Sequence, residues 1–412
     1  MANTVKNLSQ AGVAVWLDDL SRPRLQSGEL RQMVDDGLIV GITTNPTIFA
    51  KSISAGIGYD EQLRELALRG TAIGETLRLL TAWDVRAACD VLRPVFESSR
   101  KRDGRVSIEV DPRISGDAER TVAEARGLWW LVDRPNLFIK IPATRAGLPA
   151  ITSALADGIS VNVTLIFSIE RYEAVLDAFM TGLEQRAAKG QELAGIESVA
   201  SFFVSRVDTE IDRRLSRFVG SNNDAHLDQA ARGLHGKAAI ANARLAYQVY
   251  ESTAASERWQ VLAVKGGRLQ RLLWASTGVK DKAFPATRYV TELVAPDTVN
   301  TMPEATLKAA SGLNEATPDT IRGAYPEARA TIEALAKLSI NLFEVAETLE
   351  QQGIASFAKS WDELIASIEE QLRNAGAEVT PAGAVKPATG NTDAPPAPAA
   401  GAPTQTSQGD CA

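Results

Sequence analysis

Cysteine and histidine are both scarce, with two of each in 412 residues. Cys89 falls in a helical pattern and Cys411 almost at the last residue, so there is neither a disulfide framework nor zinc-ligand spacing. That usage suits a reducing compartment, and the cytoplasm is the expected location. Cys411 stands too close to the end for a prenylation box. His226 and His235 lie in polar or helical surroundings, which gives a histidine-based mechanism little support. No apolar run is long enough to span a membrane, and residues 1–6 have no signal-peptide core. The formal net charge is −7, and no basic cluster interleaves with aromatics, so neither nucleic acid nor membrane is an expected partner. Gly236-Lys237 is no phosphate loop, because the earlier glycine is missing and Ala238 follows. A dinucleotide fingerprint, a nucleophile elbow and a pair of ligands at metal spacing are absent as well.

Against these absences one stretch stands out, Leu137-Phe138-Ile139-Lys140-Ile141-Pro142-Ala143-Thr144, a strand-like apolar run holding a single lysine. Side chains alternate along a strand, so Phe138, Lys140 and Pro142 share one face. Both faces read as buried, as in a parallel sheet covered by helices. A desolvated lysine amine tends toward its neutral form, which is the form that attacks a carbonyl to make a Schiff base. The competing account is a lysine that snorkels to the strand end, and the other strands have to decide between them.

Short apolar runs ending in polar residues occur at 13–19, 38–45, 106–111, 137–143, 160–167, 199–208, 269–278 and 297–303. Helical patterns follow them at 28–36, 59–69 with 76–102, 118–132, 147–156, 168–189, 209–218 with 226–256, 285–293 and 304–310. Eight strand–helix repeats predict an α/β fold, a closed (β/α)8 TIM barrel with extra helices after the second and sixth strands. Amphipathic patterns at 328–350 and 354–375 predict two further helices that close the domain or cover the barrel mouth. From about Gly376 the chain turns to Pro, Ala, Gly, Thr and Ser without periodicity. The expected organisation is a catalytic barrel over 1–375 and a disordered tail over 376–412.

Active groups in such barrels sit at the carboxyl ends of strands. Those ends carry Asp18-Asp19, Thr43-Thr44-Asn45, Glu109 with Asp111, Lys140, Asn162 with Thr164, Ser201 with Ser205 and Arg206, and Ser276-Thr277. Solvent-facing strand ends are often polar, and that accounts for Asp19, Asp111 and Asp208. It accounts less well for Glu109, flanked by Val106, Ile108 and Val110, and a carboxylate beside a desolvated lysine is an acid/base set. Glu109 and Thr164 are the candidates for moving protons at the lysine nitrogen, and Asp18 is available as the base for carbon–carbon cleavage. Thr43, Asn45, Asn162 and Ser201 are placed to bind the hydroxyls of a polyol. Arg206 and the turn Ser276-Thr277-Gly278-Val279-Lys280 are candidates for a phosphate, with Ser276 and Lys280 as its ligands there.

Gly41-Ile42-Thr43-Thr44-Asn45-Pro46-Thr47-Ile48-Phe49 resembles one signature of transaldolases, and the Lys140 stretch followed by Gly147-Leu148 resembles their lysine-bearing second signature. Segments 16–22 and 297–304 resemble further parts of the longer bacterial form, and the resemblance runs from about residue 8 to 375. It implies a class I, Schiff-base enzyme of the non-oxidative pentose phosphate pathway. Such an enzyme moves a dihydroxyacetone unit from sedoheptulose 7-phosphate to glyceraldehyde 3-phosphate, leaving erythrose 4-phosphate and fructose 6-phosphate. It implies Lys140 as the imine-forming residue and Glu109, with Thr164 and a water, as its proton handlers. Asp18 serves cleavage, although the opposite strand parity would give Asp19 that role. Asn45, Asn162 and Ser201 would hold the three-carbon unit and Arg206 the phosphate. No metal or organic cofactor is expected, since the imine is the electron sink, and the partners are sugar phosphates. The closest rival is a class I aldolase that releases free dihydroxyacetone, with a tyrosine or phenylalanine near the imine tilting the balance. A rival from another class is a non-catalytic sugar-phosphate-binding barrel.

Overall fold

Eight parallel strands close on themselves in chain order: β1 Val13–Leu17, β2 Gly41–Ile42, β3 Arg105–Glu109, β4 Leu137–Pro142, β5 Val161–Ile166, β6 Ser198–Phe203, β7 Arg271–Ala275 and β8 Thr298–Met302. The structure is a computed structural model that describes residues 3–220, 225–313, 318–376, 378–379 and 385–386. Every residue of the eight strands is buried, the pattern of a parallel sheet with helices on one face and its own packed interior on the other. This is the (β/α)8 barrel that the strand–helix alternation predicts.

The interior is packed rather than open. Trp16 and Phe138 stack with ring centroids 6.0 Å apart, one residue pair below the level of Asp18 and Lys140. Gly41 makes room for this, because a Cβ there would stand 2.5 Å from the Trp16 ring. At the amino-terminal end the barrel is floored by charge. Arg105 donates to the carbonyls of Pro135 and Lys101 and lies over the Phe138 ring. Beside it Arg271 pairs with Asp103 at 2.9 Å and Arg268 with the buried Glu197 at 2.7 Å.

Register sets the site. Glu109 of β3 lies opposite Lys140 of β4, and Lys140 opposite Asn162 of β5, so three polar residues meet at one level. Beyond them the β5–β6 register shifts between Val163 and Ile166, and Leu165 takes a left-handed φ of 61°. A non-glycine residue held there costs about 1–3 kcal/mol. The bulge re-aims β5 where it reaches the mouth.

Several expectations need correction. The second strand shrinks to Gly41–Ile42. The run at 199–208 stops as a strand at Phe203, and the helix Ser205–Leu215 begins at once, so Ser205, Arg206 and Asp208 are helical rather than at a strand end. The pattern at 226–256 is broken at Gly236, whose φ of 67° ends Ala225–Leu234 before Ala238–Ala254 begins. The two C-terminal helices are Tyr325–Lys337 and Leu342–Asn374, divided near Ser339 with its φ of 57°. Gly353, which resembles a break, is buried inside the second of them. The chain opens with a helix, Asn3–Gln10, that the strand–helix alternation does not predict. Beyond residue 376 the structure describes only two short paired strands, Glu378–Val379 (β9) and Val385–Lys386 (β10). The rest of the expected tail lies outside the described residues.

Candidate active site

A cavity of about 680 Å³ opens at the carboxyl ends of the strands. At its base Lys140 is buried, with 4 % of its surface exposed, and Nζ donates to the Thr44 carbonyl at 3.0 Å. Glu109 Oε2 stands 3.2 Å from Nζ. The two are at ion-pair distance, yet the angles do not make a hydrogen bond, so among the described residues both Glu109 oxygens are buried without a hydrogen-bond partner. The Thr164 hydroxyl is in the same condition. Burial pushes the Glu109 carboxyl above the usual carboxylate range, while the neighbouring Lys140 ammonium pulls it back. Buried polar groups seldom stay unpaired, so Glu109 and Thr164 have hydrogen-bonding capacity to offer a water or a substrate hydroxyl.

Asp18 follows β1 and accepts a hydrogen bond from Thr43 Oγ1 at 2.6 Å. Thr43 Oγ1 is also 2.6 Å from Thr301 Oγ1. With its one proton on Asp18, Thr43 accepts from Thr301, which fixes the direction of the chain. Burial raises the Asp18 carboxyl, opposed by Lys140, Thr43 and Arg206. Its neighbour Asp19 also lines the cavity but is engaged by Arg24 at 3.1 Å and is one-third exposed. Alternation along the chain thus sends one carboxyl toward the lysine and the other toward the rim.

Asn45 lines the cavity as the N-cap of the helix Pro46–Ser54, its Oδ1 accepting from the Ile48 N–H at 3.0 Å. Asn162 is buried beneath the cavity rather than lining it. It donates to Ser107 Oγ at 3.0 Å and accepts from Ser201 Oγ at 2.7 Å, so it orients Ser201, which does line the cavity. Arg206 reaches in from the first turn of its helix. Among the described residues its guanidinium has no ion pair or hydrogen bond; it lies 5.5 Å from the Phe203 ring centroid and 5.9 Å from that of Phe357. Burial lowers its pKa, with Asp18 and Glu109 acting the other way. Ser276 is at the wall, 2.9 Å from Ser205 Oγ. Lys280 is exposed and does not line the cavity, because the turn after β7 carries it outward past Gly278. Glu109, Thr164 and Asn162 do not line the cavity either, but they are buried beneath it, whereas Lys280 is the one candidate turned out to solvent.

Sequence reasoning also missed some lining residues. Lys51 shares the inward face of its helix with Thr47 and Ile48, a spacing that could have been read once the helix was placed. Lys308 lines the rim and pairs with Glu304, which also binds Arg24. Phe357 belongs to the apolar stripe of the helix Leu342–Asn374, and nothing in the sequence separates it from ordinary core. Among the described residues no group of three or more His, Cys, Asp or Glu could hold a metal ion, and no helix is long and apolar enough to cross a membrane.

An amine, two carboxyls of raised pKa, several hydroxyls and an uncommitted guanidinium around one cavity suit covalent chemistry on an anionic, hydroxylated carbonyl compound. Comparison with known proteins points the same way. Residues 15–368 match the family model described as Transaldolase/Fructose-6-phosphate aldolase. The transaldolase of Thermobifida fusca is 58% identical over 372 residues, covering 90% of this chain and 99% of that protein. Those of Acidothermus cellulolyticus and Frankia alni are each 56% identical over 378 residues, covering 92% of this chain and 99% and 100% of theirs.

Proposed function

Given that the chain belongs to the transaldolase/fructose-6-phosphate aldolase family, we propose that it transfers a dihydroxyacetone unit from sedoheptulose 7-phosphate to glyceraldehyde 3-phosphate through a Schiff base on Lys140. Erythrose 4-phosphate and fructose 6-phosphate are the products, in the non-oxidative pentose phosphate pathway. The observation that carries this reading is the buried Lys140–Glu109 pair, 3.2 Å apart at the base of a cavity that Asp18 also lines.

In the proposed sequence the Lys140 amine attacks the ketone carbon of the donor and forms a carbinolamine. Glu109 delivers the proton with which the hydroxyl departs as water, and Thr164 helps hold that water. Asp18 takes the proton from the C4 hydroxyl as the C3–C4 bond breaks, its electron pair passing to the iminium and leaving an enamine. The aldose phosphate departs. The enamine carbon then attacks the aldehyde of glyceraldehyde 3-phosphate, Asp18 returns its proton to the new alkoxide, and water releases fructose 6-phosphate. Burial raises the pKa of both carboxyls, the direction that favours giving as well as taking a proton, which supports these assignments.

Asn45 and Ser201, the latter steadied by Asn162, bind the hydroxyls of the three-carbon unit, and Thr43 aligns Asp18. Arg206, whose guanidinium has no ion pair or hydrogen bond among the described residues, takes the phosphate, and Ser276 lies on the same wall. The unpaired, buried Cys89 accords with a cytoplasmic setting. Borohydride trapping with fructose 6-phosphate, followed by peptide mapping, tests the reading. An adduct on Lys140 is expected, and sugar-phosphate binding without one sinks it. Product analysis with and without erythrose 4-phosphate separates transfer from release of free dihydroxyacetone.

A further inference from the structure

The C-terminal helix Leu342–Asn374 crosses the cavity and presents one aromatic ring to both of its ends. Phe357 is 3 % exposed and lines the cavity. Its ring centroid stands 5.7 Å from Lys140 Nζ and 5.9 Å from Arg206 Cζ. A ring face tolerates cations at such distances, so it packs there without unsettling either charge.

Its position is built in by the residues around it. One turn earlier, Gly353 faces Leu165 and Arg206; a Cβ at 353 would be 2.9 Å from Leu165 Cδ2 and 3.6 Å from Arg206 Nη1. Glycine inside a helix is unfavourable relative to alanine, a cost that the close approach explains. Leu165 is the left-handed residue of the β5 bulge, so the strand and the helix are shaped to each other. The helix is tied down by Ser360 to Thr47 at 2.8 Å, Glu350 to Arg171 at 3.2 Å and Gln371 to the Ile53 carbonyl at 2.6 Å.

We infer that Phe357 is the ruler of this site: its ring sets the upper limit, at a four-carbon acceptor, on how many carbons fit between the reacting carbon at Lys140 and the phosphate at Arg206. The inference rests on the transfer reading above. Both ends of an aldose phosphate acceptor are anchored, one by bond formation and the other by charge. Every additional carbon has to bow out from the line between them, and the ring occupies the wall against which it would bow. A wall of this kind discriminates by roughly 10–200-fold per methylene.

The test uses the full chain with fructose 6-phosphate as donor and compares kcat/KM for erythrose 4-phosphate and ribose 5-phosphate as acceptors. In Phe357→Ala the preference for the four-carbon over the five-carbon acceptor should fall by roughly tenfold or more. Phe357→Leu, which keeps most of the apolar contact with the barrel, should fall between the variant and wild type. Taking a ratio cancels any general loss of folded or active enzyme. Equal losses for both acceptors would assign Phe357 to packing alone and overturn the inference, as would an unchanged ratio in both variants. Wild-type protein that shows no Lys140 adduct and no transfer to erythrose 4-phosphate would instead reject the transfer reading, and the ruler with it.

Discussion

At the amino-terminal end of the barrel Arg105, Arg271 and Glu197 are buried; at the carboxyl end Glu109 and Lys140 are, with Asp18 half-buried beside them. Burial alone does not separate the two regions. At the floor each guanidinium is held by carbonyl oxygens or a carboxylate, and the Arg105 pKa, lowered by burial to about 10, still leaves it charged near neutrality. At the mouth the displaced groups are carboxyls whose pKa burial raises, Asp18 lines the cavity, and among the described residues both oxygens of Glu109 lack a hydrogen-bond partner. A charge that stays ionised at working pH supports the fold. A carboxyl whose pKa is raised, with room for a reactant beside it, is placed to do chemistry.

The sharpest break of this contrast is Lys140→Ala. Turnover should fall by more than about 10⁴-fold with the fold preserved by circular dichroism, and near-wild-type activity would end the assignment. Next, Asp18→Asn should lower kcat by roughly 10²–10⁴-fold. It should also remove the acidic limb of the pH profile. The sign for stability runs against intuition. A carboxyl whose folded pKa is raised binds more protons when folded, so its contribution is favourable below its ordinary pKa and is lost as pH rises through the raised one. Asp18→Asn should therefore be as stable as wild type at acid pH and equal or more stable at pH 8, read by thermal unfolding.

The floor should behave in the opposite way. Glu197→Ala leaves Arg268 and its buried cationic neighbours uncompensated and should destabilise by about 3 kcal/mol in urea, with kcat little changed. Arg206→Ala should raise KM for the phosphorylated acceptor at least roughly tenfold while leaving the borohydride adduct. Lys280→Ala, by contrast, should change kcat/KM by less than about twofold, since the residue is outside the cavity. A large effect there would return it to the phosphate site.

The alternation of short apolar runs with helical patterns made the barrel legible, and a lone lysine in the fourth run drew attention to the site. Local pattern was enough for these because strand period and burial are local properties. It failed for Arg206, since the apolar run through Val204 and Val207 reads as strand although the chain has already turned into helix Ser205–Leu215. It failed for Lys280 because a turn's direction is set by what it packs on, here Pro303 and Thr306 near Gly278. Phe357 was invisible for a different reason. A core phenylalanine and a phenylalanine beside a cavity lysine have the same sequence signature, and only the tertiary path of the helix tells them apart.

That path has a consequence for biosynthesis. Lys140 and Glu109 leave the ribosome some two hundred residues before Phe357, and Thr301, which closes the hydrogen-bonded seam to Thr43, comes between them. Domains fold from the amino terminus as they are made. A nascent chain therefore carries the amine long before it has either the seam or the roof. The cavity is finished by the helix Leu342–Asn374, so a prematurely terminated chain keeps Lys140 but is denied the wall that Phe357 supplies.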